Sequence, residues 1–257
     1  MLKRISIYLE IFFGILRYIK NWPGYILNYT GLFNFEYVKL RNGLKYKIRP
    51  KTNDKTIFNE IWLKKLYTPD GFDIKDDYIV IDIGAHIGIF SVFAAFHAKK
   101  GLVYSFEPEK ENFLMLKENV KLNRMNNVKI FNYGISSHKG EGKLYISNFN
   151  KAAHSTKIIE SNSNFERIKL ISIKDVLKKI KASIDFLKID CEGCEYEVLY
   201  SLSDDDFRKI KNIVMEYHDL DEKKNCEELC KFLSKKGFEV EKTSGFYSMI
   251  YAKNFSK

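Results

Sequence analysis

No stretch of this chain is apolar for the ~18 residues that a membrane-spanning helix needs. The uncharged run from Ile11 to Leu16 is bracketed by Glu10 and Arg17. No small-residue cleavage site follows, which argues against a secretory signal peptide. Cysteine is scarce, four in 257 residues, and without a secretory signal a reducing compartment and free thiols are expected. Cys191 and Cys194 are spaced CxxC, and together with Cys226 and Cys230 they could offer zinc four thiolates. Cys226, Leu229, Cys230 and Leu233 fall on one helical stripe in NCEELCKFL, however, so buried free thiols are the expectation. Two nucleotide signatures are also missing. No GxxxxGK[ST] loop occurs, and a GxGxxG fingerprint begun at Gly84 meets His86 and Ile89 where its later glycines belong. A Walker-type phosphate loop and an ordinary dinucleotide site are thereby set aside.

What the chain does have is enough apolar content, 45% with 15% aromatics, to bury a core. Its formal charge of +10 comes from 43 Lys and Arg against 33 Asp and Glu. The excess is mostly scattered lysine, which reads as a solvated surface; it permits nucleic acid, anionic lipid or acidic glycan partners and selects none.

Three segments follow from the patterning. In residues 1–33, Ile5, Leu9, Phe12, Leu16 and Ile19 recur at helical steps, with Lys3, Arg4, Arg17 and Lys20 as basic companions. Such an amphipathic helix packs on its own domain, makes an oligomer contact, or lies peripherally on an anionic membrane. In residues 34–77, Asn42-Gly43 between alternating runs signals a β-hairpin. KTIFNEIWLKKLY, behind caps at Asn53 and Asp54, then reads as a helix covering what comes next. From residue 78 to 257 strands and helices alternate: YIVID, LVYSFEP, VKIFNYGIS, IDFLKID and NIVMEYH are the strands, and FEVEKT with YSMIYAK is a closing hairpin. That order predicts an α/β fold, a mostly parallel sheet with helices on both faces.

Ligands of open α/β sheets sit beyond the carboxyl ends of the strands. Here those ends carry Asp82, Glu107, Gly134, Asp190 with Glu192, and Glu216 with His218. DxGAxxG followed by an acid at the second strand end suits a nucleoside lacking phosphates and bearing positive charge, which is the character of S-adenosylmethionine. Gly84 and Gly88 would let the turn approach the methionyl tail, Asp82 would lie near its ammonium, Glu107 would take the ribose, and residues 132–136 would lie by adenine.

VIDIGAHIGIFS, YSFEPEKENFLMLKENVKLN and FLKIDCEGCEYEVL followed by IVMEYH resemble the FkbM family of S-adenosylmethionine-dependent methyltransferases across residues 79–218. The resemblance implies a Rossmann-like seven-stranded methyltransferase sheet with an antiparallel last strand, and O-methylation of a sugar, glycan or related metabolite. By motif it assigns Asp82, Gly84, Gly88 and Glu107 to the cofactor, and Ala85, His86, Pro108, Gly134, Ile135 and Asp190 are expected beside them, although many relatives have another residue at His86. It places the KIDCEG segment at the reaction centre.

A hydroxyl acceptor must lose a proton, so Asp190, Glu192, Glu216 and His218 are the catalytic candidates, with His218 nearest neutrality in its ordinary pKa. Alternatively Asp190, Glu216 and His218 would hold Mg or Mn. Lys188 with Glu192 reads as a surface pair, and His154 in NFNKAAHSTK as a residue of a substrate-facing loop. RNA methylation is the runner-up on charge grounds. Base-amino methylation is disfavoured, because strand four ends in DCEG and lacks a Pro-Pro-aromatic turn. A non-catalytic module at the inner face of the membrane is the third reading, and a cytoplasmic location the expectation for all three.

Overall fold

The computed structural model describes residues 2–28, 34–145, 165–243 and 247–255. Short apolar runs become the centre of a seven-stranded sheet: β3 (Ile79–Ile83), β4 (Leu102–Phe106), β5 (Val128–Phe131), β9 (Phe186–Ile189), β10 (Asn212–Glu216), β11 (Phe238–Lys242) and β12 (Met249–Asn254). Their spatial order is β11-β12-β10-β9-β3-β4-β5. The five strands from β10 to β5 are parallel, and β12 runs antiparallel between β10 and β11. This is the Rossmann-like seven-stranded sheet with an antiparallel last strand, and the expected hairpin closes it.

Side chains alternate faces along a strand, and the core divides accordingly. Val80, Phe186 and Val214 face one layer, which holds α4 (Ile89–His97) and the amino-terminal segments. Ile81, Leu187 and Met215 face the other, with α6 (Ile173–Ile180), α7 (Glu195–Tyr200), α8 (Asp204–Phe207) and α9 (Cys226–Lys235). α5 (Lys110–Leu122) starts at Glu109, whose carboxylate accepts hydrogen bonds from the amides of Glu111 and Asn112.

The Asn42-Gly43 hairpin forms from β1 (Tyr37–Lys39) and β2 (Lys45–Lys47), with Gly43 at φ +97°. Asn119 of α5 brackets it, accepting from the Lys47 amide and donating to the Lys47 carbonyl. The helix expected next is shorter than its pattern. α3 (Asp54–Phe58) passes into a π-helical turn, Asn59–Leu63. The Asn53 side chain makes no cap bond. Asp54 turns its carboxylate to the Arg49 guanidinium and amide.

Two further features depart from the patterning. VKIFNYGIS is not one strand: β5 ends at Phe131, and β6 (Gly134–Ser136) joins β7 (Gly140–Tyr145) and β8 (Phe165–Ser172) in a separate sheet of order β6-β8-β7. Asn132 makes the break by donating from its side-chain amide to the carbonyls of Glu107 and Pro108. In α1 (Leu2–Tyr18), the residues facing the core are Ile15 and, less completely, Ile11 and Tyr18, followed by Ile19. Leu9 and Phe12, on the stripe that the sequence suggested, are exposed. His154 lies outside the described residues.

Candidate functional site

The turn between β3 and α4 is shaped by its own backbone neighbours. Gly84 and Gly88 have φ of +75° and +84°. A Cβ at Gly84 would overlap the Asp190 carbonyl, and one at Gly88 would run into Leu116. The glycines thus let this turn seat against the end of β9 and against α5, a requirement within the chain and separate from any ligand. His86, also left-handed at φ +50°, donates its backbone N–H to Glu107 Oε2 at 2.7 Å. The other Glu107 oxygen accepts the Glu109 amide at 2.9 Å.

Above this turn is a cleft lined by Gly84, Ala85, His86, Glu107, Pro108, Gly134, Ile135 and Asp190, eight of the expected positions. Tyr67, Asn112, Tyr133, Lys188 and Glu192 add polar groups to its lining. Room inside is about 100 Å³, below the ~300 Å³ of a typical small-molecule site. Two polar atoms in the lining, His86 Nδ1 and Asn112 Oδ1, are buried without a hydrogen-bond partner among the described residues. Unpaired buried polar atoms are costly, and a ligand in the cleft would relieve both. The Glu107 carboxyl is pushed up to about 7 by burial, against the pull of the two amides. His86 is pushed down to about 4, chiefly by burial.

Asp82 does not reach the cleft. It is fully buried, accepts the Ser91 hydroxyl at 2.7 Å, and faces Lys188 Nζ at 3.2 Å. Lys188 is not a surface residue: its side chain is 4% exposed. Its ammonium donates to the Gly84 carbonyl at 2.7 Å and lies 3.5 Å from Asp190 Oδ2. Burial alone would lower its pKa, but Asp82 and Asp190 raise it, so the charge is kept. The Tyr67 hydroxyl, from the amino-terminal cap, donates to Asp190 Oδ2 at 2.8 Å.

The rim beyond Asp190 is acidic. His218 places Nδ1 3.0 Å from Glu195 Oε1 and Nε2 3.2 Å from Glu192 Oε2. Burial would lower the imidazole, but the bond and charge of Glu195, with Glu192 and Glu216, raise it to about 9. His218 is therefore an imidazolium at neutral pH and not the free base that its ordinary pKa suggested. Glu192 is pushed up to about 8 by burial and by Asp190; Glu216 rises to about 7 for the same two reasons, and Glu60 of the π turn to about 8 by burial and Glu216. Glu192 itself sits at φ +53° beside Gly193 at +105°. This turn brings the Cα atoms of Cys191 and Cys194 to 5.5 Å, and the two form a disulfide, contrary to the free thiols expected. Cys226 and Cys230 remain free on α9. Neither a zinc site nor the divalent site expected at Asp190, Glu216 and His218 is assembled: no group of three or more His, Cys, Asp or Glu among the described residues is placed to hold a metal.

The profile of the family described as Methyltransferase FkbM domain matches residues 82–240. The chain belongs to that family. Among its curated relatives, AMB antimetabolite synthetase AmbE of Pseudomonas aeruginosa is 25% identical over 72% of the chain, which spans only 10% of that protein. 31-O-demethyl-FK506 methyltransferase FkbM of Streptomyces tacrolimicus is 25% identical over 64% of the chain and 75% of the relative. Methyltransferase sdnD of Sordaria araneosa is 26% identical over 67% and 78%. A solved structure of M. jannaschii TYW2 in complex with AdoMet is similar at a TM-score of 0.44, with 19% identity, over 86% of this chain and 88% of that one.

For an FkbM-family methyltransferase the donor is S-adenosylmethionine, and the cleft residues fit it. Glu107 offers a buried carboxylate, while His86 Nδ1 and Asn112 Oδ1 offer polar atoms unpaired among the described residues in the same lining. Glu107→Ala is expected to weaken S-adenosylhomocysteine binding about tenfold to a hundredfold, the range for a hydrogen bond to a charged group, as measured by calorimetric titration; unchanged affinity would move the nucleoside elsewhere. Sequence patterning missed Lys188, Tyr67, Glu60, Asn112 and Glu195. Only Lys188 had a visible signal: a lone cation inside FLKI, a strand whose other residues are apolar and whose place is the sheet centre.

Proposed function

We propose that the protein is an O-methyltransferase acting on a hydroxyl of a sugar, glycan or related metabolite. Supporting this is the Glu192 carboxylate, held at the cleft rim by His218 with its proton affinity raised to about 8. A neutral amine attacks without a base; a hydroxyl must lose its proton as it attacks, and a carboxylate with a raised pKa is a stronger acceptor for it. The name of the Streptomyces tacrolimicus relative also describes an O-directed activity.

Bound S-adenosylmethionine supplies an electrophilic methyl carbon on a sulfonium leaving group. The chain's own residues align and dehydrate the acceptor. Asp190, fixed by Tyr67 and Lys188, accepts a hydrogen bond from a neighbouring acceptor hydroxyl, and Glu192 takes the proton of the reacting one. S-adenosylmethionine held there would give up its methyl group to the acceptor oxygen and leave as S-adenosylhomocysteine, with the hydroxyl proton passing to Glu192 and a methyl ether as product. His218, as imidazolium, stabilises Glu192 in its ionised form between turnovers. Asp190 at the cleft, with Glu192 and Glu216 ionising as pH rises, disfavours a phosphodiester substrate such as RNA, despite the net charge.

The test is methyl transfer from labelled S-adenosylmethionine across a panel of sugars, glycans and amines. Label in sugar hydroxyls supports the proposal; label confined to amines overturns it. Because Glu192 must be ionised to act, kcat is expected to rise with pH from 7 through about 8. Stability runs the other way. His218 contributes stability that is fully present below its ordinary value of 6.5 and lost as pH rises through about 9. A kcat profile paired with thermal melts across that window measures both.

A further inference from the structure

α1 is apolar on two sides. Ile15 and Ile19 are buried in the core, at 4% and 0% exposure, whereas Leu9, Phe12 and Phe13 are 51%, 44% and 63% exposed. Phe13 and Arg17, four residues apart, share the outer face, and Lys20 follows one turn later. Trp22 and Leu27 of α2 (Trp22–Leu27) are exposed as well. Arg17 also lines a second cavity, between α1, the β1–β2 hairpin, the π turn and α4, of about 440 Å³. Its wall carries the cations Arg17, Arg41 and Lys65 against one acid, Asp73, over the aromatic rings of Trp62, Phe93 and Phe96. Lys65 reaches it from a left-handed backbone, φ +51°, directly after the π turn. Both are conformations that proteins retain mostly where they serve a purpose.

We propose that α1 and this cavity form a docking site for anionic phospholipid, in which Leu9, Phe12 and Phe13 enter the bilayer surface and the cavity cations take a headgroup phosphate. An amphipathic helix with apolar residues on its free face and basic residues at its edge binds in the plane of such a surface. Trp22 suits the headgroup level, and the chain's +10 charge draws it to an anionic leaflet. A second copy of the chain is the poorer occupant. A two-fold contact through this face would gather the Arg17 and Lys20 of both copies into one interface, a concentration of like charge. No described helix is long and apolar enough to cross the membrane, so the contact is peripheral.

The test is co-sedimentation of the full chain with phosphatidylcholine vesicles, with and without phosphatidylglycerol. Binding is expected only where phosphatidylglycerol is present, falling about tenfold or more in Phe12→Ser/Phe13→Ser and in Lys65→Glu. S-adenosylhomocysteine affinity, unchanged in both variants, shows that they are folded. Equal binding to the two vesicles, binding to neither, or full binding by either variant overturns the proposal. Saturable binding of inorganic phosphate, lost in Lys65→Glu, without vesicle binding would mean that the cavity serves a soluble phosphate. A concentration-dependent dimer abolished by Phe12→Ser/Phe13→Ser would assign the face to a second copy.

Discussion

Lys188→Met is expected to destabilise the protein by about 3–5 kcal/mol, the range for leaving one member of a buried ion pair alone. Asp82 is fully buried and depends on Lys188 for charge compensation, with the Ser91 hydroxyl as its further side-chain partner among the described residues. The loss should appear as a lower urea midpoint with an unchanged slope. Adding Asp82→Asn to Lys188→Met removes the stranded charge, so the double variant should recover more than half of the loss; a sum of two independent penalties would show that the pair is not coupled. Stability and donor binding are joined at this residue. The same ammonium holds the Gly84 carbonyl and faces Asp190, so the single variant should also bind S-adenosylhomocysteine more weakly than the stability loss alone requires.

The second large effect is on chemistry. Glu192→Gln keeps the shape of the rim and removes its base, and should lower kcat about a hundredfold to a thousandfold, within the range of positioned acid–base catalysis. S-adenosylhomocysteine affinity should be unaffected, because the nucleoside is assigned to Glu107, His86 and Asn112 and the proton transfer to Glu192. The rise of kcat between pH 7 and 8 should vanish in the same variant. A profile that keeps its limb would move the base to Glu216, whose carboxyl is raised to about 7.

The sheet was legible because its strands are short apolar runs set between turn residues, and parallel strands buried on both faces need nothing else. That Gly84, Glu107 and Asp190 would line one cleft was legible for a related reason: they stand at strand ends, where topology brings residues together whatever their separation in sequence. Asp82 was misread because a strand-end acid can point either into the cleft or down to the sheet, and only Lys188 decides which. The break at Asn132 rests on a side-chain amide bonding two distant carbonyls, which no periodicity encodes. In α1 the periodicity was real, but a helix apolar on two sides has two stripes. The core took the one containing Ile11 and Ile15. The Cys191–Cys194 disulfide follows from a left-handed turn at Glu192 and Gly193, and the scarcity of cysteine said nothing about that geometry.

The cap reaches the cofactor turn through a clamp at Arg49. Arg49 grips Asp54 with two side-chain bonds, and the same guanidinium lies 3.1 Å from His86, whose backbone holds Glu107. Exchanging residues 34–77 between relatives would therefore also detune the donor wall. A graft that carries Arg49, Asp54 and Tyr67 with it keeps the two halves in register; one that drops them does not.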